Sequence, residues 1–287
     1  MKYYEVNFRI DAPEAMMQTA RDILPALAVA AGFETFEDTA VGVKGFVQQQ
    51  LFSQEALDAL LSDFPLPQTA VSYTFAEADY RDWNEQWEQQ GFEPIAVGPF
   101  VIHDGRHLPA SVPPETCAIE IHARQAFGTG THETTRMMVA TIAEAQLTGK
   151  RVLDCGTGTG ILAIAALKAG ASEAVGYDID EWSTDNACHN AALNGVDAHF
   201  KVLLGDASVL DGIEGTFDMV LANINRNILL ADMPAMAARL KADGILVVSG
   251  FLTEDAGLLV SKAQTLALQP CEKRQETGWM CLSFSPR

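Results

Sequence analysis

The densest chemistry in the chain lies in Asp154-Cys155-Gly156-Thr157-Gly158-Thr159-Gly160. Glycines at alternate positions let backbone approach a ligand where side chains would block it, and they adopt angles that other residues avoid. The loop follows an apolar strand, Lys150 to Leu153, and leads into an apolar helix, Thr159 to Ala169. In open α/β sheets, ligands sit at the carboxyl end of such strands. The dinucleotide fingerprint G-x-G-x-x-G would need Gly or Ala where this chain has Ile161. A nicotinamide dinucleotide is therefore disfavoured, and the carboxylate of Asp154 suits a cationic ligand instead.

Three further strand ends supply polar groups. The second strand closes with Gly176-Tyr177-Asp178-Ile179-Asp180, so that Asp178 stands 22 residues beyond Gly156. A carboxylate there can accept both hydroxyls of a ribose. Asp180 could do this instead, or open the following helix, where negative charge is favourable; Asp178 is the stronger candidate. Asp206, in Gly205-Asp206-Ala207, could reach an adenine amino group or remain an exposed loop aspartate. In Leu221-Ala222-Asn223-Ile224-Asn225, the side-chain carbonyl of Asn223 can accept a hydrogen bond from an amine, or the residue can cap the next helix.

The acid ahead of G-x-G-x-G resembles the first motif of S-adenosylmethionine-dependent methyltransferases, whose cofactor presents an ammonium and a sulfonium and has no pyrophosphate. A longer stretch, Ala126-Phe127-Gly128-Thr129-Gly130-Thr131-His132-Glu133-Thr134-Thr135, is more specific. Together with the glycine loop, Asp178 and Ala222-Asn223-Ile224, it resembles the PrmA family, the methyltransferases of ribosomal protein L11, from about Trp83 to the C-terminus. The chain departs from that family where Glu88 follows Trp87, a position at which the family usually has Lys. The resemblance implies a Rossmann-like class I methyltransferase behind a small N-terminal domain that captures substrate. It implies transfer of methyl groups from S-adenosylmethionine to lysine side chains and the N-terminal amine of ribosomal protein L11. It also implies that Thr135, Gly156, Asp178 and Asn223 contact the cofactor and that Phe127, Gly128 and Thr129 fold over it; Asp154, Gly158 and Asp206 are further candidate contacts on the chemistry of the residues themselves.

Amine methylation needs a lone pair, which a lysine ammonium lacks. With a reference pKa near ~10.4, deprotonation at neutral pH costs on the order of 4 kcal/mol, so the enzyme has to hold the neutral amine in line with the methyl carbon. Asn223 is the candidate for that alignment, touching cofactor, substrate or both. His132 is a tempting general base, but the sequence offers it no orienting partner and bracing of its loop is the better reading. A methyltransferase of another protein amine or of a small molecule, or a cofactor-binding module without turnover, are the rival functions.

These residues must be positioned by ordered elements. From about Gly149, strands and helices alternate in the rhythm of a parallel sheet, with strands at Ala174 to Tyr177, Phe200 to Leu204, Phe217 to Leu221 and Ile245 to Ser249, and with helices at Glu181 to Leu193, Ile228 to Leu240 and Ala256 to Leu268. A hairpin from Cys271 to Arg274 and Trp279 to Phe284 ends the chain. Before Asp79 the order reads β-α-β-β-α-β: Tyr4, Val6, Phe8 and Ile10 alternate with polar residues, and Met16 to Leu27 recur at helical spacing, with Pro25 placed to kink or split that helix. This is a ferredoxin-like α+β pattern. The expected division is 1–78, a connector helix over 79–91 bearing Trp83 and Trp87 on one face, and 92–287.

Composition sets the outer bounds. There are 19 basic and 38 acidic side chains in 287 residues, a formal net charge of −19. That excludes a phosphate-coating nucleic-acid binder and favours a basic or small cationic partner. No apolar stretch approaches the ~18 residues needed to span a bilayer, and Glu5 and Asp11 break any signal-peptide core. The five cysteines form no C-x-x-C pair, which suits reduced thiols in the cytoplasm and gives no zinc or disulfide framework.

Overall fold

The structure is a computed structural model that describes residues 3–28, 31–49, 51–62, 64–77, 91–107, 116–123 and 128–287. Trp83 and Trp87 of the expected connector, and Phe127, lie outside the described residues. The chain divides into two compact units, Met1–Trp83 and Asn84–Arg287.

In the first unit, β1 (Tyr3–Asp11), α1 (Glu14–Ala28), β2 (Phe33–Thr39), β3 (Gly42–Gln48), α2 (Gln54–Ser62) and β4 (Ala70–Glu77) follow one another. The sheet order is β2-β3-β1-β4, every pair antiparallel. Alternation along β1 buries Val6, Phe8 and Ile10, while Asn7, Arg9 and Asp11 stay exposed. These meet Ala20, Leu24 and Ala28 of α1 and Leu57 of α2 in one apolar cluster. Of the kink or split expected at Pro25, the split does not occur: α1 runs unbroken through it. Pro25 forfeits one backbone bond, but Leu24 and Ala28 on either side of it are fully buried, and that burial holds the last turn.

In the second unit, a sheet of seven strands has the order β10-β9-β8-β11-β12-β14-β13. Its members are β8 (Arg151–Cys155), β9 (Glu173–Asp178), β10 (Phe200–Leu204), β11 (Phe217–Asn223), β12 (Leu240–Leu252), β13 (Leu268–Glu276) and β14 (Trp279–Pro286). Strands β8 to β12 are parallel, and β14 joins antiparallel between β12 and β13. This is a Rossmann-like sheet with the terminal hairpin inserted at one edge. The period of two sends neighbouring residues to opposite faces. Val152, Met219 and Val247 face a layer with α3 (Glu133–Glu144), α4 (Ile161–Lys168) and α5 (Glu181–Leu193). Leu153, Val220 and Leu246 face α6 (Arg226–Ala238) and α7 (Ala256–Thr265). The chain moves outward from β8 to β10 and then returns to β11 on the other side, so strand order reverses between β8 and β11. Ligands bind at the carboxyl edge of such a switch point.

Two stretches differ from the sequence reading. A three-stranded sheet of β5 (Ile95–Val97), β6 (Phe100–His103) and β7 (Cys117–Glu120) lies ahead of α3 and packs Phe100, Ile102 and Ile119 into the same layer. The helix expected to reach Leu240 ends at Ala238, and β12 begins at Leu240 and runs to Leu252, well beyond the expected Ile245 to Ser249.

Candidate functional site

The glycine loop turns at the carboxyl end of β8 with Gly156, Gly158 and Gly160 all at positive φ, +72°, +52° and +81°. The amides of Gly156 and Thr157 both donate to the Tyr177 carbonyl at 2.9 Å, which ties the loop to β9. Asp154 is fully buried beneath it. Its Oδ2 accepts from the Thr157 hydroxyl at 2.8 Å and from the Ala163 amide at 3.2 Å, while Oδ1 has no hydrogen-bond partner among the described residues. Burial pushes this carboxyl up to about 6, with the two hydrogen bonds opposing and the charge of Asp178 reinforcing the rise.

Asp178, at the end of β9, faces the loop: its Oδ2 accepts from the Gly158 amide at 2.9 Å and its Oδ1 from the Asp180 amide at 3.1 Å. A carboxylate offers about four lone-pair sites, so acceptor capacity remains for two hydroxyls. Asp180 is placed otherwise. It is the N-cap of α5, where its Oδ2 accepts from the amide and hydroxyl of Ser183 at 3.3 and 3.2 Å. Asp206 caps a short 3-10 turn, Ala207–Gly212, by accepting from the Ser208 amide at 2.9 Å.

On the other side of the switch point, Ala222 of β11 pairs with Cys155 of β8, which sets Asn223 level with Gly156. Asn223 does not cap the next helix. Asn225 does, accepting from the amides of Asn227 and Ile228 at 3.1 Å. The side chain of Asn223 donates from Nδ2 to the Thr135 hydroxyl at 3.3 Å, and its Oδ1 is buried without a hydrogen-bond partner among the described residues. Thr135 is itself fully buried in the first turn of α3.

The segment leading into α3 is fastened to the glycine loop. The Gly128 carbonyl accepts from the Thr159 hydroxyl at 2.6 Å, and Thr129 and Thr131 share a hydroxyl contact of 2.7 Å. His132 is the N-cap of α3, with Nδ1 against the Thr134 hydroxyl at 2.8 Å and its ring edge-on to Trp279 at 4.8 Å. That geometry braces the loop, as the sequence reading preferred.

Some residues that build the site went unread. Asn190, fully buried on α5, donates to the carbonyls of Thr159 and His122 and accepts from the His122 amide at 3.0 Å, locking glycine loop and β7 end together. A buried asparagine three turns into a helix gives no sequence signal beyond its polarity. Trp279 and Gly250 were also passed over, though an isolated glycine in a strand pattern does signal a bulge or close approach. Among the described residues, no group of three or more His, Cys, Asp or Glu could hold a metal ion.

A model of the ribosomal protein L11 methyltransferase (PrmA) family matches residues 13–287. The chain belongs to that family. A ribosomal protein L11 methyltransferase of Phocaeicola vulgatus is 41% identical over 285 residues, covering 99% of each chain. One of Porphyromonas gingivalis is 40% identical over 290 residues, covering 100% of this chain and 98% of its own. The solved structure of ribosomal protein L11 methylase from Lactobacillus delbrueckii subsp. bulgaricus matches with a TM-score of 0.63 at 30% identity, over 68% of this chain and 100% of that one. This PrmA-family chain is an S-adenosylmethionine-dependent protein methyltransferase, as the F-G-T-G-x-H-x-T-T stretch implied.

Proposed function

We propose that the protein methylates amines of ribosomal protein L11, with S-adenosylmethionine held at the switch point between β8 and β11 and the substrate amine received by Asn223. The observation that carries this reading is the buried Oδ1 of Asn223 beside the glycine loop, which has no hydrogen-bond partner among the described residues. An unmet buried acceptor costs about 1–3 kcal/mol, and a substrate N–H relieves it.

The site fits the cofactor on its own chemistry. Gly156 and Gly158 let the loop backbone come up to it, Asp178 offers acceptors for the ribose hydroxyls, Asp206 is the candidate for the adenine amino group, and Gly128 and Thr129, fastened to the loop ahead of Thr135, are candidates to cover it. The free Oδ1 of Asp154 suits the cationic end of the ligand, since a buried carboxylate is stabilised by a neighbouring positive charge. S-adenosylmethionine, when bound, supplies a methyl group activated by a sulfonium.

The chain's own part is orientation. Asn223 takes one N–H of the neutral amine and thereby aims the nitrogen lone pair. Its Nδ2 bond to Thr135 fixes which end of the amide faces the substrate. The first unit, Met1–Trp83, is the substrate-capturing part in this reading, and the acidic chain suits a basic protein partner in the cytoplasm.

Incubation with labelled S-adenosylmethionine and purified ribosomal protein L11 tests the proposal. Label should enter lysine or N-terminal amines, found by mass spectrometry, and Asn223→Ala should abolish most of it. Tight cofactor binding with no label in L11 would overturn the substrate, and native transfer by the variant would overturn the role of Asn223.

A further inference from the structure

The turn after β11 contains a contact that the transfer reading leaves unused. Ile224, joined to Asn223 by one peptide bond, lies between Gly156 of the glycine loop and Gly250 of β12. A Cβ on Gly156 would stand 2.4 Å from Ile224 Cγ2. A Cβ on Gly250 would stand 2.3, 2.8 and 3.0 Å from the backbone oxygen, carbon and nitrogen of Ile224. One glycine clears a side chain; the other clears the peptide itself.

Gly250 is placed there by a local irregularity. Ser249 is the β12 partner of Asn223, and Gly250 follows it at φ +94° within the register shift between Val248 and Phe251 where β12 pairs with β14. The Ser249 hydroxyl, fully buried, donates to the Met280 carbonyl at 2.8 Å and pins the bulge to β14. Bulges next to active sites commonly re-aim a side chain.

We propose that Gly250 is a positioning residue for methyl transfer, its bulge seating β12 against the Ile224 peptide and so fixing the direction of the Asn223 side-chain carbonyl. This rests on Asn223 as the acceptor for the substrate amine. A side chain at 250 meets backbone, which cannot rotate away as a side chain would, so relief has to come from the peptide that follows Asn223. The opposing tether is the 3.3 Å bond from Asn223 to Thr135, which selects the end of the amide that faces inward but does not fix the backbone beneath it. Gly156 meets only the end of the Ile224 side chain, which can turn away, and Gly158 and Asp178 belong to the loop and to β9, so the cofactor contacts stay in place.

The test is a double-mutant cycle in the full-length chain. Gly250→Ala should lower kcat on ribosomal protein L11 by at least about tenfold, while the Kd for S-adenosylmethionine changes by less than about twofold. Gly250→Asn keeps the intruding Cβ on a residue that tolerates positive φ, and should reproduce the loss with less effect on Tm. In an Asn223→Ala background, Gly250→Ala should have little further effect on kcat, because the group it misdirects is gone. An undiminished loss in that background, a native kcat in Gly250→Ala, or failure of both Gly250 variants to fold would overturn the positioning role. A native kcat in Asn223→Ala alone would instead remove the acceptor reading, and this inference with it.

Discussion

At the residue scale the two aspartates of β9 divide their work, and the division is measurable. Asp178 spends both oxygens on amides near the glycine loop, whereas Asp180 closes the first turn of α5. Asp178→Ala should weaken cofactor binding by ~1.5–3 kcal/mol, the range for hydrogen bonds to a charged group. Asp180→Ala should leave binding nearly unchanged and cost about 1 kcal/mol of stability as a lost cap. Calorimetry with S-adenosylmethionine and thermal melts on both variants separate the two, and a reversal would exchange their roles. Asp154 adds a pH dependence. An acid whose carboxyl is pushed up to about 6 is protonated and neutral below that pH, and only its ionised form attracts a cation. Affinity for S-adenosylmethionine should therefore fall as pH drops through about 6, and Asp154→Asn should flatten that fall. A wild-type affinity constant from about pH 5 to pH 8 would mean that Oδ1 does not face the cofactor's charge.

At the scale of elements, α3 is where helix end and site coincide. His132 caps it, Trp279 of β14 meets the His132 ring edge-on, and Thr135, in the first turn, accepts from Asn223. His132→Ala should cost about 0.5–2 kcal/mol of stability as a lost N-cap, with a smaller kcat but an unmoved pH–rate profile. Loss of a titration limb from that profile would make the imidazole a proton acceptor after all. The same scale explains what was legible in the sequence. Strands β8 to β11 and their helices are apolar runs bounded by polar turns, so the sequence alone places the glycine loop, Asp178 and Asn223 at strand ends. Strands β5 to β7 are three and four residues long, too short for a period to register. The early start of β12 was hidden by Asp243-Gly244, which reads as a turn yet lies within the strand. Asn190 acts through a contact 31 positions away and Gly250 through one 26 positions away, and such contacts are invisible to local patterning.

At the scale of the molecule, charge and division into units bear on how a protein substrate reaches the site. Met1–Trp83 carries 13 acidic and 5 basic side chains, a balance of −8, which leaves −11 of the −19 for Asn84–Arg287. Both units repel phosphates and attract basic protein, so KM for ribosomal protein L11 should rise with ionic strength as the steering field is screened, while kcat holds. The two units also make separable demands. Every residue assigned to cofactor and amine lies in Asn84–Arg287, which has its own two apolar layers around one sheet. A chain starting at Asn84 should therefore fold and bind S-adenosylmethionine with near-native affinity. It should nevertheless lose most methylation of intact L11, because a single lysine makes few contacts with the pocket. If the first unit captures the substrate as proposed, tethering would supply the roughly millimolar effective concentration that a weakly held amine needs. The truncated protein should regain rate when L11 is raised well above the full-length KM, since mass action then replaces capture. A truncated protein that matches the full-length rate at low L11 would assign Met1–Trp83 to stability or to another partner.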